Sequence, residues 1–196
     1  MYDVAIIGGG PAGASAATFT ARAGLNTVLV DADQSITRRA WIPNHLGFPD
    51  GISGPDLVDR GKQQAQRAGA RLVTGKVVDL EGTGTAGFHL RLEDGTTLEA
   101  RHVILCLGVN VELARKAGAA IRPGGEPRIK EVVDVDALGR TSIPGVWAAG
   151  TCAGTSVHTI VTAGDGARVA INLISEIRGT RHVDHEVLAP AGQPRP

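Results

Sequence analysis

Residues 1–17 read MYDVAIIGGGPAGASAA: a short apolar run, a glycine-rich turn and an alanine-rich segment. The apolar run 2–7 predicts a strand that is buried on both faces of a parallel sheet. The segment 11–23 predicts a helix that Gly24 ends, and the β-branched run 26–31 predicts a second strand. Together these elements form a βαβ unit, which indicates an α/β fold.

The glycines of this unit follow the pattern Gly8-x-Gly10-x-x-Gly13. In such a pattern the first glycine allows a tight turn, the second lets the backbone approach a pyrophosphate, and the third lets the helix pack on the sheet. Asp31 ends the next strand, where its carboxylate can accept ribose hydroxyls and disfavours a 2′-phosphate. The pattern predicts a dinucleotide site; the alternative is a glycine-rich turn that serves packing alone.

The rest of the chain continues the α/β pattern. The later predicted elements are a helix that begins near Pro55, strands at 71–80, 87–92 and 97–104, a buried strand at 146–149 and a helix at 159–177. The three strands between 71 and 104 leave no room for helices, so they predict an antiparallel β-meander inserted beside a parallel central sheet. We expect one domain over residues 1–188 and a frayed tail at 189–196.

Composition limits the possible partners. Lys plus Arg and Asp plus Glu each total 20, and this balance does not favour a nucleic-acid partner or a charged membrane surface. The uncharged stretch 4–21 is interrupted by glycines and lacks a basic leader, so we predict neither a membrane span nor a signal peptide. Cys106 and Cys152 form neither a metal-ligand spacing nor a C-x-x-C pair, which favours a reducing cytoplasm and no metal site.

Three further stretches resemble one enzyme family. The stretch TSIPGVWAAG at 141–150 resembles the C-terminal motif of flavoprotein disulfide reductases. The stretch NHLGFPDGISGPDL at 44–57 resembles the flavin-side loop and helix of low-molecular-weight thioredoxin reductases, and TAGDG at 162–166 resembles the start of their last helix. The resemblance covers about residues 2–178 and implies a doubly wound, Rossmann-like FAD-binding domain with FAD as the cofactor.

Carried over position by position, the resemblance implies contacts with both halves of FAD. The residues that would hold the ADP half are Gly8, Gly10, Pro11, Ala12, Gly13 and Asp31. Backbone at Val78 would lie near the adenine, and Arg39 would reach a phosphate. The residues that would line the flavin half are Asn44, Gly108, Gly150, Thr151, His158, Thr159 and Ile160. His158 would be a catalytic proton relay or, alternatively, a cap or surface histidine, whereas His45 is expected at the surface.

The chain departs from the family in three places. Only about 30 residues separate Gly108 from Thr141, where the family carries its NADPH domain and its C-x-x-C pair. Thr151 occupies the position at which the family usually has an aspartate. Cys106 is expected to be an inert core thiol; Cys152 would be either a catalytic redox thiol or a packing residue beside the cofactor, and a disulfide between the two is a minor alternative.

These departures predict an FAD domain alone. The leading hypothesis is a single-domain FAD oxidoreductase that is reduced by a partner protein, a small thiol or weakly bound NAD(P)H. Reduction of thioredoxin disulfides by this chain alone is not expected, because no thiol pair is available. The alternative from another class is a non-catalytic, FAD-dependent interaction or sensing subunit, with a homodimer as one way to cover the exposed face. An NAD-dependent dehydrogenase would need a substrate domain.

Overall fold

The computed structural model describes residues 1–84 and 86–185. Its strands are β1 (Tyr2–Ile7), β2 (Thr27–Asp31), β3 (Trp41–Ile42), β4 (Ile52–Ser53), β5 (Arg71–Thr74), β6 (Val77–Thr83), β7 (Gly87–Leu92), β8 (Thr97–Leu105), β9 (Ile121–Pro123), β10 (Glu131–Val133) and β11 (Val146–Ala148). Its helices are α1 (Pro11–Arg22), α2 (Gly54–Arg67), α3 (Glu112–Lys116) and α4 (Thr159–Arg178), with short 3-10 turns at Ile36–Arg39 and Thr151–Ala153.

The main sheet has the strand order β5-β2-β1-β8-β7-β6, and β11 pairs with β8. Strand β8 joins two kinds of pairing, because residues 97–100 pair antiparallel with β7 and residues 103–105 pair parallel with β11. The strands β5, β2, β1, β8 and β11 are parallel, and β6, β7 and β8 form the antiparallel meander. This topology confirms the predicted α/β fold with its parallel central sheet and inserted meander.

Side chains of the central strands alternate between two cores. In β1, Val4 and Ile6 pack with α1 and α4, whereas Ala5 and Ile7 pack on the other face with residues of the meander and α3. All five residues of β2 are buried. Burial on both faces explains why these strands are continuous apolar runs without alternating polar residues.

The helical layer is close-packed because its contact residues are small. Helix α1 lies between α2 and α4 and contacts both. A Cβ atom on Gly166 of α4 would overlap the carbonyl oxygen of Ala12, so glycine is required for α4 to approach the beginning of α1. This contact brings the first turns of α1 and α4 together.

The carboxyl ends of the parallel strands meet at one edge of the sheet. Ile7 of β1 pairs with Val30 of β2 and with Leu105 of β8, and Leu105 pairs with Ala148 of β11. The chain segments that leave these four strands therefore lie side by side. In open α/β sheets this edge is where ligands bind.

Some sequence predictions differ from the structure. The run 71–80 was expected to be one strand of the meander, but it is divided at Gly75 into β5, which pairs parallel with β2, and β6, which begins the meander. Helix α3 and the β9–β10 hairpin were not predicted. The tail predicted at 189–196 lies outside the described residues. Within the described ranges, no helix is long and apolar enough to cross a membrane.

Candidate cofactor site

The turn 8–13 forms a backbone cradle at the end of β1. Gly8 has a φ of 104°, and a Cβ atom there would overlap the carbonyl oxygen of Cys106. A Cβ atom on Gly13 would overlap the carbonyl oxygen of Gly8, so both positions accept only glycine. Gly10 is the N-cap of α1, and no side chain caps this helix end. The first N–H groups of α1 can therefore bind an anion such as a pyrophosphate.

Asp31 lies beside this cradle, as the sequence predicts. Its side chain is 7% exposed, and Oδ1 accepts a hydrogen bond of 2.9 Å from the Gly9 N–H. Oδ2 is buried, and apart from its ion pair with Lys62 it has no hydrogen-bond partner among the described residues. A buried carboxylate oxygen with this free capacity fits the ribose hydroxyls of an ADP group.

Two cations that the sequence analysis did not select lie near Asp31. Lys62 of α2 pairs with Asp31 and donates to Asp33 Oδ1 at 2.8 Å. Arg38 pairs with Asp33 at 2.7 Å and with Asp59 at 2.6 Å. The hydrogen bond from Lys62, together with Arg38, lowers the pKa of Asp33. Arg39, which the sequence placed near a phosphate, is exposed at the end of its 3-10 turn, so Arg38 is the arginine that joins this cluster.

The backbone directly beside Asp31 is that of Thr74 and Gly75. Thr74 pairs with Asp31 across β2 and β5, and the Gly75 N–H donates to the Asp31 carbonyl oxygen at 3.0 Å. Val78, which was expected near the adenine, lies three residues farther along, and its carbonyl oxygen accepts a hydrogen bond of 3.2 Å from Lys116 of α3. Residues 74–75 are therefore neighbours of the proposed ribose site, and the contact of Val78 with the adenine stays a prediction.

At the other end of the site, the loop 150–155 is tied to α4 by Asp165. Asp165 Oδ2 accepts hydrogen bonds from the Gly150 N–H at 2.7 Å and from the Thr155 hydroxyl at 2.8 Å. Oδ1 accepts a hydrogen bond of 2.9 Å from Arg168 Nε, and the Asp165 side chain is 8% exposed. Thr151, in the position where the family has an aspartate, is buried within this loop. Asp165 belongs to the TAGDG stretch, but its role in holding the loop was not predicted from the sequence.

Two histidines lie at the start of α4. His158 is the exposed N-cap residue of α4, and its Nδ1 lies 2.8 Å from the Ser156 hydroxyl. His45 was expected at the surface, but it is half-buried and its Nδ1 lies 2.9 Å from the Thr159 hydroxyl. Burial lowers the pKa of His45. This contact connects the loop that contains Asn44 to α4.

Two other residues predicted for the flavin half are accessible at the same edge of the sheet. Gly108 is exposed in the turn after β8, with a φ of 64°. Ile160 is 38% exposed in the first turn of α4. Most of the residues that are predicted to contact the flavin therefore lie on segments that follow β8 or β11. Gly108 follows β8, and the others follow β11: Gly150, Thr151, Thr159 and Ile160.

The two cysteines lie in the two opposite cores. Cys106 packs with α1 and α4, whereas Cys152 packs on the other face of the sheet, and both thiols are free. Burial raises the pKa of Cys152 to about 12 and raises the pKa of Cys106 well above its usual range. Cys152 Sγ lies 3.3 Å from the Leu105 carbonyl oxygen and accepts a hydrogen bond of 3.3 Å from the Leu107 N–H. This geometry supports packing rather than a redox role for Cys152.

Two family models match the chain. The model described as pyridine nucleotide-disulphide oxidoreductase matches residues 52–167, and the model described as FAD binding domain matches residues 1–44. Among curated proteins, a thioredoxin reductase of Streptomyces clavuligerus is 40% identical over 112 residues, which are 55% of this chain and 34% of that protein. A bifunctional thioredoxin reductase/thioredoxin of Mycobacterium leprae is 35% identical over 121 residues, 60% of this chain and 26% of that protein. The chain thus spans about a third or less of the length of these relatives.

Solved structures support the same fold. A thioredoxin reductase from Gloeobacter violaceus superposes with a TM-score of 0.78 at 19% identity, covering 95% of this chain and 99% of that one. An oxidoreductase from Agrobacterium tumefaciens gives a TM-score of 0.77 at 18% identity, covering 90% and 99%. At these identities the likeness confirms a Rossmann-like architecture and says nothing further about chemistry.

Proposed function

Because the chain belongs to the FAD-binding pyridine nucleotide-disulphide oxidoreductase family, we propose that it is a flavin-dependent oxidoreductase with an external electron donor. The donor is a partner protein, a small thiol or weakly held NAD(P)H. FAD is the cofactor, and when bound it supplies a ring that accepts and releases two electrons together with protons. The residues of this chain bind that ring, orient it and control the access of the donor.

The observation that supports this proposal is the placement of both halves of the cofactor site at one edge of the sheet. The uncapped beginning of α1 and the buried carboxylate of Asp31 suit the ADP half. The loop 150–155 and the first turn of α4 follow β11 at the same edge. The beginning of a helix favours negative charge, which suits a reduced flavin. We assign these two segments to the two halves of FAD.

The cysteines support an external acceptor. A disulfide reductase that uses its own thiols needs an accessible thiolate and a resolving thiol beside the flavin. Cys152 and Cys106 are buried on opposite sides of the sheet, and burial raises the pKa of both. We therefore propose that electrons leave the flavin directly to a partner or small molecule, and that thioredoxin disulfides are not reduced by this chain alone.

The test is an anaerobic titration of the FAD-loaded protein with NADH, NADPH and dithiothreitol in turn. The absorbance of the oxidised flavin reports the reduction, and free FAD under the same conditions is the control. We expect at least one donor to reduce the bound flavin faster than free FAD. If no donor or candidate partner protein reduces the bound FAD, the enzymatic proposal is wrong.

A second candidate function is a non-catalytic FAD-dependent interaction subunit. The observation that favours it is a group of apolar side chains at the start of α4, because Val157, Ile160 and Val161 are 45%, 38% and 41% exposed. Exposed apolar residues that lie close together indicate an interaction surface. Sedimentation velocity with and without FAD tests this candidate. A dimer that forms only with FAD supports it, and a monomer under both conditions counts against it.

A further inference from the structure

Lys62 lies in the ADP end of the site although it belongs to none of the motifs. It is on α2, and its side chain is only 12% exposed. Its ammonium group forms an ion pair with Asp31 Oδ2 and donates to Asp33 Oδ1 at 2.8 Å. A buried lysine is unusual unless it is paired, so this position requires the two carboxylates.

The charge of Lys62 is retained. Burial opposes the charge, but the hydrogen bonds and charges of Asp31 and Asp33 outweigh it and raise the pKa of Lys62. An ammonium group carries three protons, and the contacts with Asp31 and Asp33 use two of them. One donor is thus left for a ligand at the place where Asp31 offers an acceptor.

A ribose hydroxyl both donates and accepts hydrogen bonds. Asp31 Oδ1 already accepts the Gly9 N–H, whereas Oδ2 contacts the Lys62 ammonium group and has no other hydrogen-bond partner among the described residues. A carboxylate beside an ammonium group satisfies both functions of one hydroxyl. The pair also balances its own charge, so a neutral ribose does not leave a buried carboxylate uncompensated.

We propose that Lys62 is a binding residue of the cofactor site, where it forms with Asp31 a donor–acceptor pair for the ribose hydroxyls of the ADP half. This inference rests on the proposed position of the ADP half at the turn 8–13. It differs from a purely structural role, in which Lys62 would only fasten α2 to β2. The two roles differ in which ligands they affect.

The test compares the affinities of the variant Lys62→Met for FAD, ADP and FMN. FMN lacks the adenosine group, so a ribose contact affects FAD and ADP but not FMN. We expect FAD and ADP to bind roughly 10- to 100-fold more weakly, as for a lost hydrogen bond to a charged group, while the FMN affinity is unchanged. Lys62→Arg keeps the charge and should restore most of the affinity.

The matched control is Lys116→Met. Lys116 is also ion-paired, with Asp79 at 3.1 Å, but it lies on α3 beside the meander. The variant Lys116→Met should leave the affinities for FAD, ADP and FMN unchanged. Thermal unfolding of each variant without ligand shows whether it is folded. If Lys62→Met does not fold, Lys62→Gln replaces it, because glutamine keeps a donor and much of the length of the side chain.

Competition with 2′-deoxy-ADP and 3′-deoxy-ADP provides an independent measurement. In the wild-type protein at least one deoxy analogue should bind more weakly than ADP, and in the Lys62 variant this difference should shrink. The proposal would be overturned if the Lys62 variant lost equal affinity for FAD and FMN or kept its FAD affinity. It would also be overturned if the difference in affinity between ADP and its deoxy analogues were the same in the variant as in the wild-type protein. If the wild-type protein binds no FAD, the assignment of the site itself fails, which is a distinguishable result.

Discussion

The two ends of the proposed cofactor site, the ADP end at the turn 8–13 and the flavin end at the loop 150–155, are shaped by different physical means. At the turn 8–13, backbone atoms approach so closely that a Cβ atom on Gly13 would overlap the Gly8 carbonyl oxygen. At the loop 150–155, the buried carboxylate of Asp165 holds the Gly150 N–H and the Thr155 hydroxyl. One end depends on the absence of side chains, and the other depends on a single charged group.

This difference determines how each end responds to substitution. Steric overlap with backbone cannot be relieved by a rotamer change, so an added methyl group at the ADP end must displace the chain. A lost charge at the flavin end leaves the volume unchanged and removes charge-assisted hydrogen bonds. The ADP end should therefore be intolerant of any added atom, whereas the flavin end should tolerate isosteric changes at a measurable cost.

The largest expected effect is that of Gly13→Ala. The added Cβ atom overlaps the Gly8 carbonyl oxygen and lies 3.3 Å from Cys106 Cβ, so β1 and α1 must separate. We expect a loss of about 3 kcal/mol or more in the free energy of unfolding, and FAD binding too weak to measure. Urea denaturation and an FAD titration measure the two effects.

The control for this variant is Gly164→Ala in α4. Gly164 is also helical, but a Cβ atom there meets nothing within 4 Å. Alanine forms helices more readily than glycine, so the free energy of unfolding of this variant should rise by about 0.5–1 kcal/mol. If Gly13→Ala proved as stable as Gly164→Ala, the steric description of the ADP end would be wrong.

The next largest effect is expected for Asp165→Asn. Asparagine has the same shape, but it loses the charge that strengthens the hydrogen bonds from Gly150, Thr155 and Arg168. It also replaces one of the two acceptor oxygens with an NH2 group, which cannot accept. We expect the free energy of unfolding to fall by about 2 kcal/mol. The loss is smaller than for a fully buried ion pair because Arg168 is 42% exposed and can be hydrated. FMN and FAD should lose affinity to the same extent, in contrast to Lys62→Met.

The control for Asp165 is Asp94→Asn. Asp94 accepts one backbone hydrogen bond of 2.9 Å, from Thr96, in an exposed turn of the meander. The same chemical change at Asp94 should lower the free energy of unfolding by less than about 1 kcal/mol and should leave flavin binding unaffected. A normal FMN affinity in Asp165→Asn would show that the loop 150–155 does not shape the flavin half.

The backbone geometry of the proposed ADP end could be predicted from the sequence because its causes are local. The glycines lie within one turn, and the position of Asp31 follows from a single βαβ unit with standard geometry. Lys62 was missed because its role depends on α2 lying beside the end of β2, which no spacing along the chain specifies. The motif was therefore visible in the sequence, while its second charged group was not.

The flavin end was less predictable because its contacts are distant in sequence. Asp165 binds a backbone group 15 residues away, and His45 contacts Thr159, which is 114 residues away. The division of the run 71–80 at Gly75 was missed for the same reason. Strand β5 is separated from the meander only by its pairing with β2, which is distant in sequence. The local strand propensity of β5 and β6 is alike. Long-range pairing therefore decides which of them joins the parallel sheet and which joins the meander.

The smallest expected effect is a pH dependence at the flavin end. Burial lowers the pKa of His45 from its usual value of 6.5, so the unfolded chain binds a proton there more readily than the folded protein. The stability that depends on neutral His45 is therefore complete above that usual value, and it is lost as the pH falls from there towards the lowered pKa of the folded state. Because His45 contacts Thr159 at the start of α4, its protonation should weaken FMN binding over the same range. The terminal phosphates of FMN and ADP also titrate at about pH 6, so the effect of His45 is the difference in affinity between the wild-type protein and a His45 variant at each pH. We expect this difference for FMN and not for ADP.

The variants His45→Asn and His89→Asn test this dependence in a matched pair. His89 lies on β7 with its side chain 60% exposed, so its replacement should leave the FMN affinity unchanged. His45→Asn should flatten the fall in FMN affinity and remove only part of the fall in stability, because burial also lowers the pKa values of His102 and His182. Urea denaturation and FMN titration at a series of pH values measure both, and an NMR titration of the histidine ring gives the pKa of His45 directly. If His45→Asn changed the pH dependence of the ADP affinity as much as that of the FMN affinity, His45 would act on the whole site, and the two ends would not be independent.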